Sequence, residues 1–158
     1  MIYLLRHAHA GSKKNWEGPD DQRPLSATGR REAAGLVVRL AALPVSTVLS
    51  SPALRCRQTV GPLAEQRGLP VGLDGRLHVD AEVEQAVALL LSRDLGDAVL
   101  CSHGELIGEL LGWLRDGGAP IAEDAEWPKG STWVLRPDGD RVAEATYLPP
   151  LRTAGGSA

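Results

Sequence analysis

Three short apolar runs, each followed at once by polar residues, constrain the fold of this 158-residue chain more than any other feature. Each run has the length and residue types of a strand that is buried on both faces. Segments with helical periodicity separate the runs, which favours right-handed crossovers and a largely parallel sheet. The runs occupy residues 2–5, 47–49 and 98–101.

The remaining segments complete an alternating pattern of helices and strands. Ser26 is placed to cap a first helix, which Pro44 ends. Ser51 followed by Pro52 is a typical start of a second helix, in which Pro62 is expected to cause a kink. Further helices are predicted at 82–95 and 106–114, a weak strand at 71–73, loops at 11–24 and 123–128, and a β-hairpin at 132–135 and 142–148.

The sequence therefore predicts a three-layer α/β/α domain over residues 1–150. Its sheet is expected to be mostly parallel, and the C-terminal hairpin supplies an antiparallel edge. Residues 151–158, rich in Gly, Ser and Ala, are predicted to be a disordered tail.

Composition restricts the possible partners. A formal net charge of -3 argues against nucleic acid as the main partner, because phosphate backbones attract basic surfaces. No apolar run approaches the ~20 residues of a membrane span, and no signal peptide is evident at the N-terminus, so we expect no membrane partner and a cytoplasmic location. Cys56 and Cys101 are too few for a disulfide framework or a zinc cage, and we interpret them as buried thiols.

The polar residues at the strand ends predict one anion site. Arg6 and His7 follow the first strand, Arg55 lies in the first turn of the helix after the second, and His103 follows the third. Arginine matches tetrahedral oxyanions with forked donors, and helix N-termini add backbone N–H groups. In open α/β sheets these groups converge at one crevice, which would be of phosphate size.

These residues resemble those of a known family. Arg6-His7-Ala8 is similar to the Arg-His-Gly signature of the histidine phosphatase (phosphoglycerate mutase-like) superfamily, with alanine replacing glycine. Segments 23–29, 51–59 and 102–104 continue the resemblance in the same order along the chain. The short length and the Arg-Pro-Leu segment look most like SixA-type phosphohistidine phosphatases. They also look like the histidine phosphatase domain fused to Nudix hydrolases in some actinobacteria.

The resemblance implies a role for each residue at the strand ends. His7 would attack phosphorus and form a phosphohistidine that water then hydrolyses. Arg6 and Arg55 would hold the phosphoryl oxygens, and His103 would complete the pocket. No metal and no cofactor are implied, and we expect a monomer. The fold implied is phosphoglycerate mutase-like.

The general acid is the point at which the chain departs from the family. Many members carry a glutamate that protonates the leaving oxygen, and Val79 occupies the corresponding position here. Glu105, Asp80 and Glu82 are alternative candidates for that acid, although acidic residues in a first helical turn are also ordinary capping charges. Without an acid, substrates with good leaving groups are favoured, such as phosphohistidine or an anhydride.

Residues around the predicted pocket are candidates for substrate binding. Arg23 can reach it from the long loop or form a structural salt bridge, Lys13 can meet a distal phosphate, and Ser102 belongs to the third strand end. Trp16 can stack on a base or pack within the loop. His9 is expected at the pocket rim.

Three functions remain open at this point. The first is a metal-independent phosphatase acting on phosphohistidine in a protein, a nucleotide-type anhydride or a small phosphoester, in falling order of expectation. The second is a non-catalytic phosphate-recognising domain that works beside a Nudix hydrolase partner. The third is a metal-dependent hydrolase using His7 and His9, which two arginines at the same crevice argue against.

Overall fold

In the computed structural model, which describes residues 1–153, six strands form one mixed sheet in the order β3-β2-β4-β1-β5-β6. The four strands from β3 to β1 run parallel, and β5 and β6 are antiparallel. The strands are β1 (Ile2–Arg6), β2 (Thr47–Ser50), β3 (Val71–Leu73), β4 (Ala98–Ser102), β5 (Thr132–Asp138) and β6 (Arg141–Leu148).

Four helices cover the two faces of this sheet within the described residues. The first three connect the parallel strands and the fourth leads from β4 to β5, so the predicted α/β class, with a mostly parallel sheet and an antiparallel C-terminal edge, is confirmed. The helices are α1 (Ala27–Arg39), α2 (Leu54–Arg67), α3 (Val83–Leu90) and α4 (Gly104–Asp116).

Side chains alternate between two cores along the central strands. On β1, Leu4 packs with α3 and α4, whereas Tyr3 and Leu5 pack on the opposite face with α1 and α2. β4 behaves in the same way, with Leu100 on the first face and Val99 on the second. Burying one such side chain contributes about 1.5–3 kcal/mol, which explains why both strands are apolar throughout and turn polar only at their carboxyl ends.

The observed helices differ from the predicted ones mainly at their ends. The prediction that Ser51 caps α2 is wrong, because Ala53 is the N-cap residue and the Ser51 hydroxyl hydrogen-bonds His103. α2 is continuous from Leu54 to Arg67 with Pro62 inside it, and its C-cap residue Gly68 is in the left-handed region. α3 ends at Leu90 rather than near 95, where the Ser92 hydroxyl accepts the Asp94 backbone N–H and competes with helical hydrogen bonding.

Residues 151–153, which were predicted to belong to a disordered tail, contact α1. Leu151 lies against α1, where its carbonyl oxygen occupies the space that a Cβ on Gly35 would need. Arg152 pairs with Glu32 over 3.4 Å, and the Thr153 backbone N–H donates to the Arg31 carbonyl. The rest of that prediction, 154–158, lies outside the described residues.

Candidate active site

The register of the sheet brings the first and third strand ends together. β1 and β4 pair in parallel with Arg6 opposite Ser102, so His7 and His103 leave the sheet side by side. The His7 backbone N–H donates to the Ser102 carbonyl over 3.0 Å. The two imidazole ring centres are 5.5 Å apart, and the ring planes are inclined by 66°.

His7 is a neutral imidazole with one free nitrogen lone pair. Its Nδ1 lies 2.8 Å from the Ala8 carbonyl oxygen, which can only accept, so Nδ1 carries the proton and Nε2 keeps its lone pair. Burial, reinforced by the positive charges of Arg55 and Arg6, lowers the pKa of His7 to about 3. The ring is therefore unprotonated, and available as a nucleophile, at neutral pH.

Two buried guanidinium groups flank His7. Arg55 is 3% exposed, and Arg6 is half-buried with its Nη1 donating to the Trp127 carbonyl over 3.1 Å. Burial lowers the pKa of Arg6 despite the negative charge of Glu105. The Nε of each arginine is buried without a hydrogen-bond partner among the described residues. Orphaned donors of this kind are rare in folded proteins, and oxyanions are strong acceptors for guanidinium N–H groups.

Gly104 is required where α4 begins because Arg6 lies against it. A Cβ at this position would stand 2.6 Å from Cζ of the Arg6 guanidinium, closer than real contacts allow. The glycine in the Ser-His-Gly segment therefore makes room for the arginine from the neighbouring strand. The same close approach sets Arg6 at the N-terminus of α4.

The Asp20 carboxylate bridges Arg55 and Arg23. Its carboxylate accepts from Arg55 Nη2 over 3.0 Å and from Arg23 Nε over 3.1 Å, and its carbonyl accepts from Arg55 Nη1 over 2.8 Å. Burial raises the pKa of Asp20, but the hydrogen bond from Arg23 and the charge of Arg55 outweigh it and hold this pKa below its usual range. Asp20 is thus an ionised carboxylate that orients guanidinium groups.

His103 is fixed by a hydrogen bond at each ring nitrogen. Arg55 Nη2 donates to its Nδ1 over 3.3 Å, so its Nε2 carries the proton and donates to the Ser51 hydroxyl over 2.8 Å. The Cys56 sulfur lies 3.7 Å from the same Nε2, and both cysteines are buried and free. Neither ring nitrogen of His103 is left to bind a metal.

A cavity of about 270 Å³ lies at the carboxyl ends of β1, β2 and β4. The structure brings together in it all four residues predicted for the catalytic centre. Glu105, predicted as a possible general acid, and Arg23 and Lys13, predicted to bind substrate, line the same cavity. Val79 lines it at the position where the family has its acid. The lining residues are Arg6, His7, Gly11, Lys13, Asp20, Arg23, Arg55, Val79, His103, Glu105 and Lys129.

Three predicted site residues lie elsewhere. Ser102 is completely buried and its hydroxyl donates to the Leu77 carbonyl over 2.6 Å, so it does not bind substrate. Asp80, with 88% of its side chain exposed, contacts His78, and Glu82 is the exposed N-cap residue of α3. Neither carboxylate lines the cavity, which leaves Glu105 as the candidate acid among the three that were predicted.

His9 and Trp16 lie beside the cavity rather than in it. The His9 ring hydrogen-bonds the Ser26 hydroxyl over 2.6 Å, and its backbone N–H donates to Glu32. The indole N–H of Trp16 donates to the Pro19 carbonyl, and its ring lines an adjoining cavity of about 250 Å³. Among residues 1–153, no group of three or more His, Cys, Asp and Glu side chains is placed to hold a metal ion.

Sequence reasoning missed Asp20, Ser51 and Lys129 as members of the site. Lys129 comes from the loop before β5, and burial lowers its pKa, helped by the charges of Arg6 and Arg23. The sequence signal for Asp20 is its position three residues before Arg23, on the loop that carries Lys13. No pattern marks Lys129, because the antiparallel pairing of β5 with β1 alone brings it to the cavity.

Comparisons with known proteins agree with this geometry. The family model of the histidine phosphatase superfamily, branch 1, matches residues 2–78. An 8-oxo-(d)GTP phosphatase from Mycolicibacterium smegmatis is 30% identical over 154 residues, which are 94% of this chain and 48% of that protein. The chain therefore spans about half the length of this relative.

Two solved structures have the same fold over nearly their whole length. The protein histidine phosphatase SixA in complex with tungstate superposes with a TM-score of 0.72 at 21% identity, covering 96% of each chain. A candidate phosphohistidine phosphatase SixA from Nakamurella multipartitia gives a TM-score of 0.71 at 26% identity, covering 94% of this chain and 95% of that one.

No helix within residues 1–153 has the length and apolar character needed to cross a membrane. The matched family model, the shared fold and the strand-end motifs lead to one assignment. The chain belongs to the histidine phosphatase superfamily.

Proposed function

We propose that this chain is a metal-independent phosphatase that works through a covalent phosphohistidine on His7. One observation carries the proposal: a buried, neutral imidazole with a free Nε2 lies beside two arginines whose Nε–H groups have no partner within residues 1–153. An imidazole of this kind is a nucleophile, and the arginines supply the charge that a phosphoryl group needs.

In the first step, His7 Nε2 forms a bond to phosphorus as the bond from phosphorus to the leaving atom breaks. The electron pair of the broken bond stays with the leaving atom, which takes up a proton. The Ala8 carbonyl, which already accepts from Nδ1–H, stabilises the positive charge that develops on the ring. Arg6 and Arg55 hold the equatorial oxygens, and orientation of this kind is worth roughly 7 kcal/mol or more.

In the second step, water attacks phosphorus, the nitrogen–phosphorus bond breaks and inorganic phosphate leaves. The water loses one proton, so the sum of both steps is hydrolysis. His103 lies beside His7 and borders the phosphoryl pocket, where its ring is held by Arg55 and Ser51. We assign His103 to holding Arg55 through its Nδ1 at the edge of the phosphoryl pocket, and Asp20 to orienting the same arginine.

The residues available as general acids favour substrates with good leaving groups. Val79 contributes no proton, Asp20 is held ionised by two arginines, and Glu105 is an exposed residue at the cavity edge. We therefore rank phosphohistidine in a protein first, a nucleotide-type anhydride second and a small phosphoester third. Glu105 is the group we propose as proton donor where a leaving group requires one.

The relatives and the cavity charges support the second substrate class as well. The 8-oxo-(d)GTP phosphatase from Mycolicibacterium smegmatis acts on a nucleotide, and Lys13 and Lys129 add positive charge beyond the arginines that surround His7. Trp16, in the adjoining cavity, offers a surface on which a base can stack. Because that relative is about twice as long, a Nudix hydrolase partner stays a prediction, as do the cytoplasmic location and the monomeric state.

A phosphatase screen tests the proposal. It compares a phosphohistidine peptide, nucleoside mono-, di- and triphosphates and sugar phosphates, with His7→Ala as the blank. We expect hydrolysis only by the wild-type chain, with the highest kcat/KM on phosphohistidine. p-Nitrophenyl phosphate should exceed an alkyl phosphate by at least about a hundredfold, the usual worth of a general acid.

Two results of this screen would contradict the proposal. Hydrolysis by His7→Ala at the wild-type rate would exclude His7 as the nucleophile. Binding of these compounds without turnover would favour the non-catalytic phosphate-recognising domain instead.

A further inference from the structure

We propose that His78 is a positioning residue of this site, a role that rests on the phosphatase function proposed above. His78 lies outside the cavity. Its Nε2–H donates to the Asp21 carboxylate, and this hydrogen bond holds in place the short turn from which Asp20 orients Arg55 and Arg23.

The turn Asp20–Gln22 needs an anchor because its own residues do not supply one. It is a single 3-10 turn with no buried residue and no side-chain cap. Apolar packing therefore does not fix it, and its position depends on polar contacts. Asp20 makes its contacts with Arg23 and Arg55, two cavity residues that are themselves needed for a phosphoryl group.

Asp21 supplies the contact that leads away from the cavity. Its two carboxylate oxygens lie 3.0 and 2.9 Å from His78 Nε2. The Asp80 backbone N–H donates to His78 Nδ1 over 3.2 Å, so Nδ1 accepts and Nε2 carries the proton that is donated to Asp21. The direction of each hydrogen bond is thus determined by its partner.

His78 is held in position by contacts of its own. The preceding residue, Leu77, is fully buried, and its carbonyl accepts from the Ser102 hydroxyl at the end of β4 over 2.6 Å. The His78 ring packs edge-on against His103, with ring centres 5.8 Å apart and planes inclined by 68°. A continuous chain of contacts therefore runs from the central strand through His78 and Asp21 to the residue that orients Arg55.

Variants at both ends of this hydrogen bond test the role. His78→Phe keeps a ring for packing but loses the donor, and Asp21→Ala removes the acceptor. Asp80→Asn is the matched control, because it changes the other carboxylate beside His78, which is exposed and outside the cavity. The measurements are the Kd for vanadate by titration calorimetry, kcat/KM on the best substrate of the screen, and Tm.

We expect His78→Phe and Asp21→Ala each to weaken vanadate binding and lower kcat/KM by about tenfold or more, since small misplacements of phosphoryl-binding groups are costly. The double variant should be no worse than either single one, because both remove the same link. Tm should stay nearly unchanged, since the pair is partly exposed, and Asp80→Asn should stay within twofold of wild type.

Wild-type vanadate affinity in His78→Phe and Asp21→Ala would overturn the inference, as would independent, multiplying losses in the double variant. A wild-type chain that binds vanadate but hydrolyses nothing would refute the proposed function while leaving the positioning role to be judged from the vanadate affinities. A wild-type chain that does not bind vanadate would overturn both.

Discussion

Two cavities of this molecule differ in a way that shows what marks a functional site. The cavity between α1 and α2 has a volume of about 510 Å³, nearly twice that of the cavity around His7. Its charged residues, Arg30, Arg57 and Glu65, are exposed and therefore already solvated. The smaller cavity instead holds a buried imidazole and two guanidinium groups whose Nε atoms have no partner within residues 1–153, and burying such donors is costly unless they are satisfied.

The largest expected effect separates the two cavities with two arginines of the same helix. Arg55→Ala removes a buried phosphoryl ligand and should lower kcat/KM by about 10²–10³. Arg57→Ala, two residues further along α2 in the larger cavity, should stay within twofold, because its exposed side chain donates only to the Pro52 carbonyl. Steady-state kinetics on the best substrate checks both, and equal losses would break the comparison.

A smaller effect is expected from crowding the buried side of the site. Gly104→Ala places a methyl group against the Arg6 guanidinium and should lower kcat/KM about tenfold or more by displacing it. Gly112→Ala, in the same helix, meets only the end of Arg115 at 4.0 Å and should leave kcat/KM unchanged. It should also raise the free energy of unfolding by up to about 1 kcal/mol through helix propensity. Full activity in Gly104→Ala would show that Arg6 is not confined as described.

The smallest expected effect is the pH dependence of stability that the buried imidazole creates. The pKa of His7 is about 3 in the folded chain, against about 6.5 when unfolded, so between these values the unfolded chain binds the extra proton. The free energy of unfolding should therefore fall as the pH drops through this window, by up to about 1.4 kcal/mol per pH unit from this group.

Chemical denaturation of wild type and His7→Gln between pH 7 and pH 4 measures this contribution. The variant should lose stability less steeply than wild type as the pH falls. Parallel curves would mean that His7 is not held neutral by burial.

The comparison also explains how much the sequence could predict. His7, Arg6, Arg55 and His103 were found because strand ends are marked by an abrupt change from apolar to polar residues, and the sheet register then brings those ends together. Glu105 was found for the same reason, since it follows β4 by a short step. The fold class follows from the same alternation of buried runs and helical segments.

The residues that were wrong or missed depend on contacts between distant loops. Ser102 alternates to the side of the strand that faces Leu77, and Ser51 bonds His103 instead of capping a helix. Asp20 reaches Arg55 across 35 positions of sequence through a turn that has no periodicity. Lys129 reaches the cavity because β5 pairs with β1, and no local sequence pattern predicts that pairing.

The central claim is that phosphorus becomes bound to His7 during turnover. Rapid acid-free denaturation of the chain during hydrolysis of a 32P-labelled substrate, followed by pH treatment of the protein, tests it directly. We predict a labelled protein whose adduct is stable in base, labile in acid and absent from His7→Ala. Turnover by the wild-type chain without such an adduct, or an equal adduct in His7→Ala, would contradict this account.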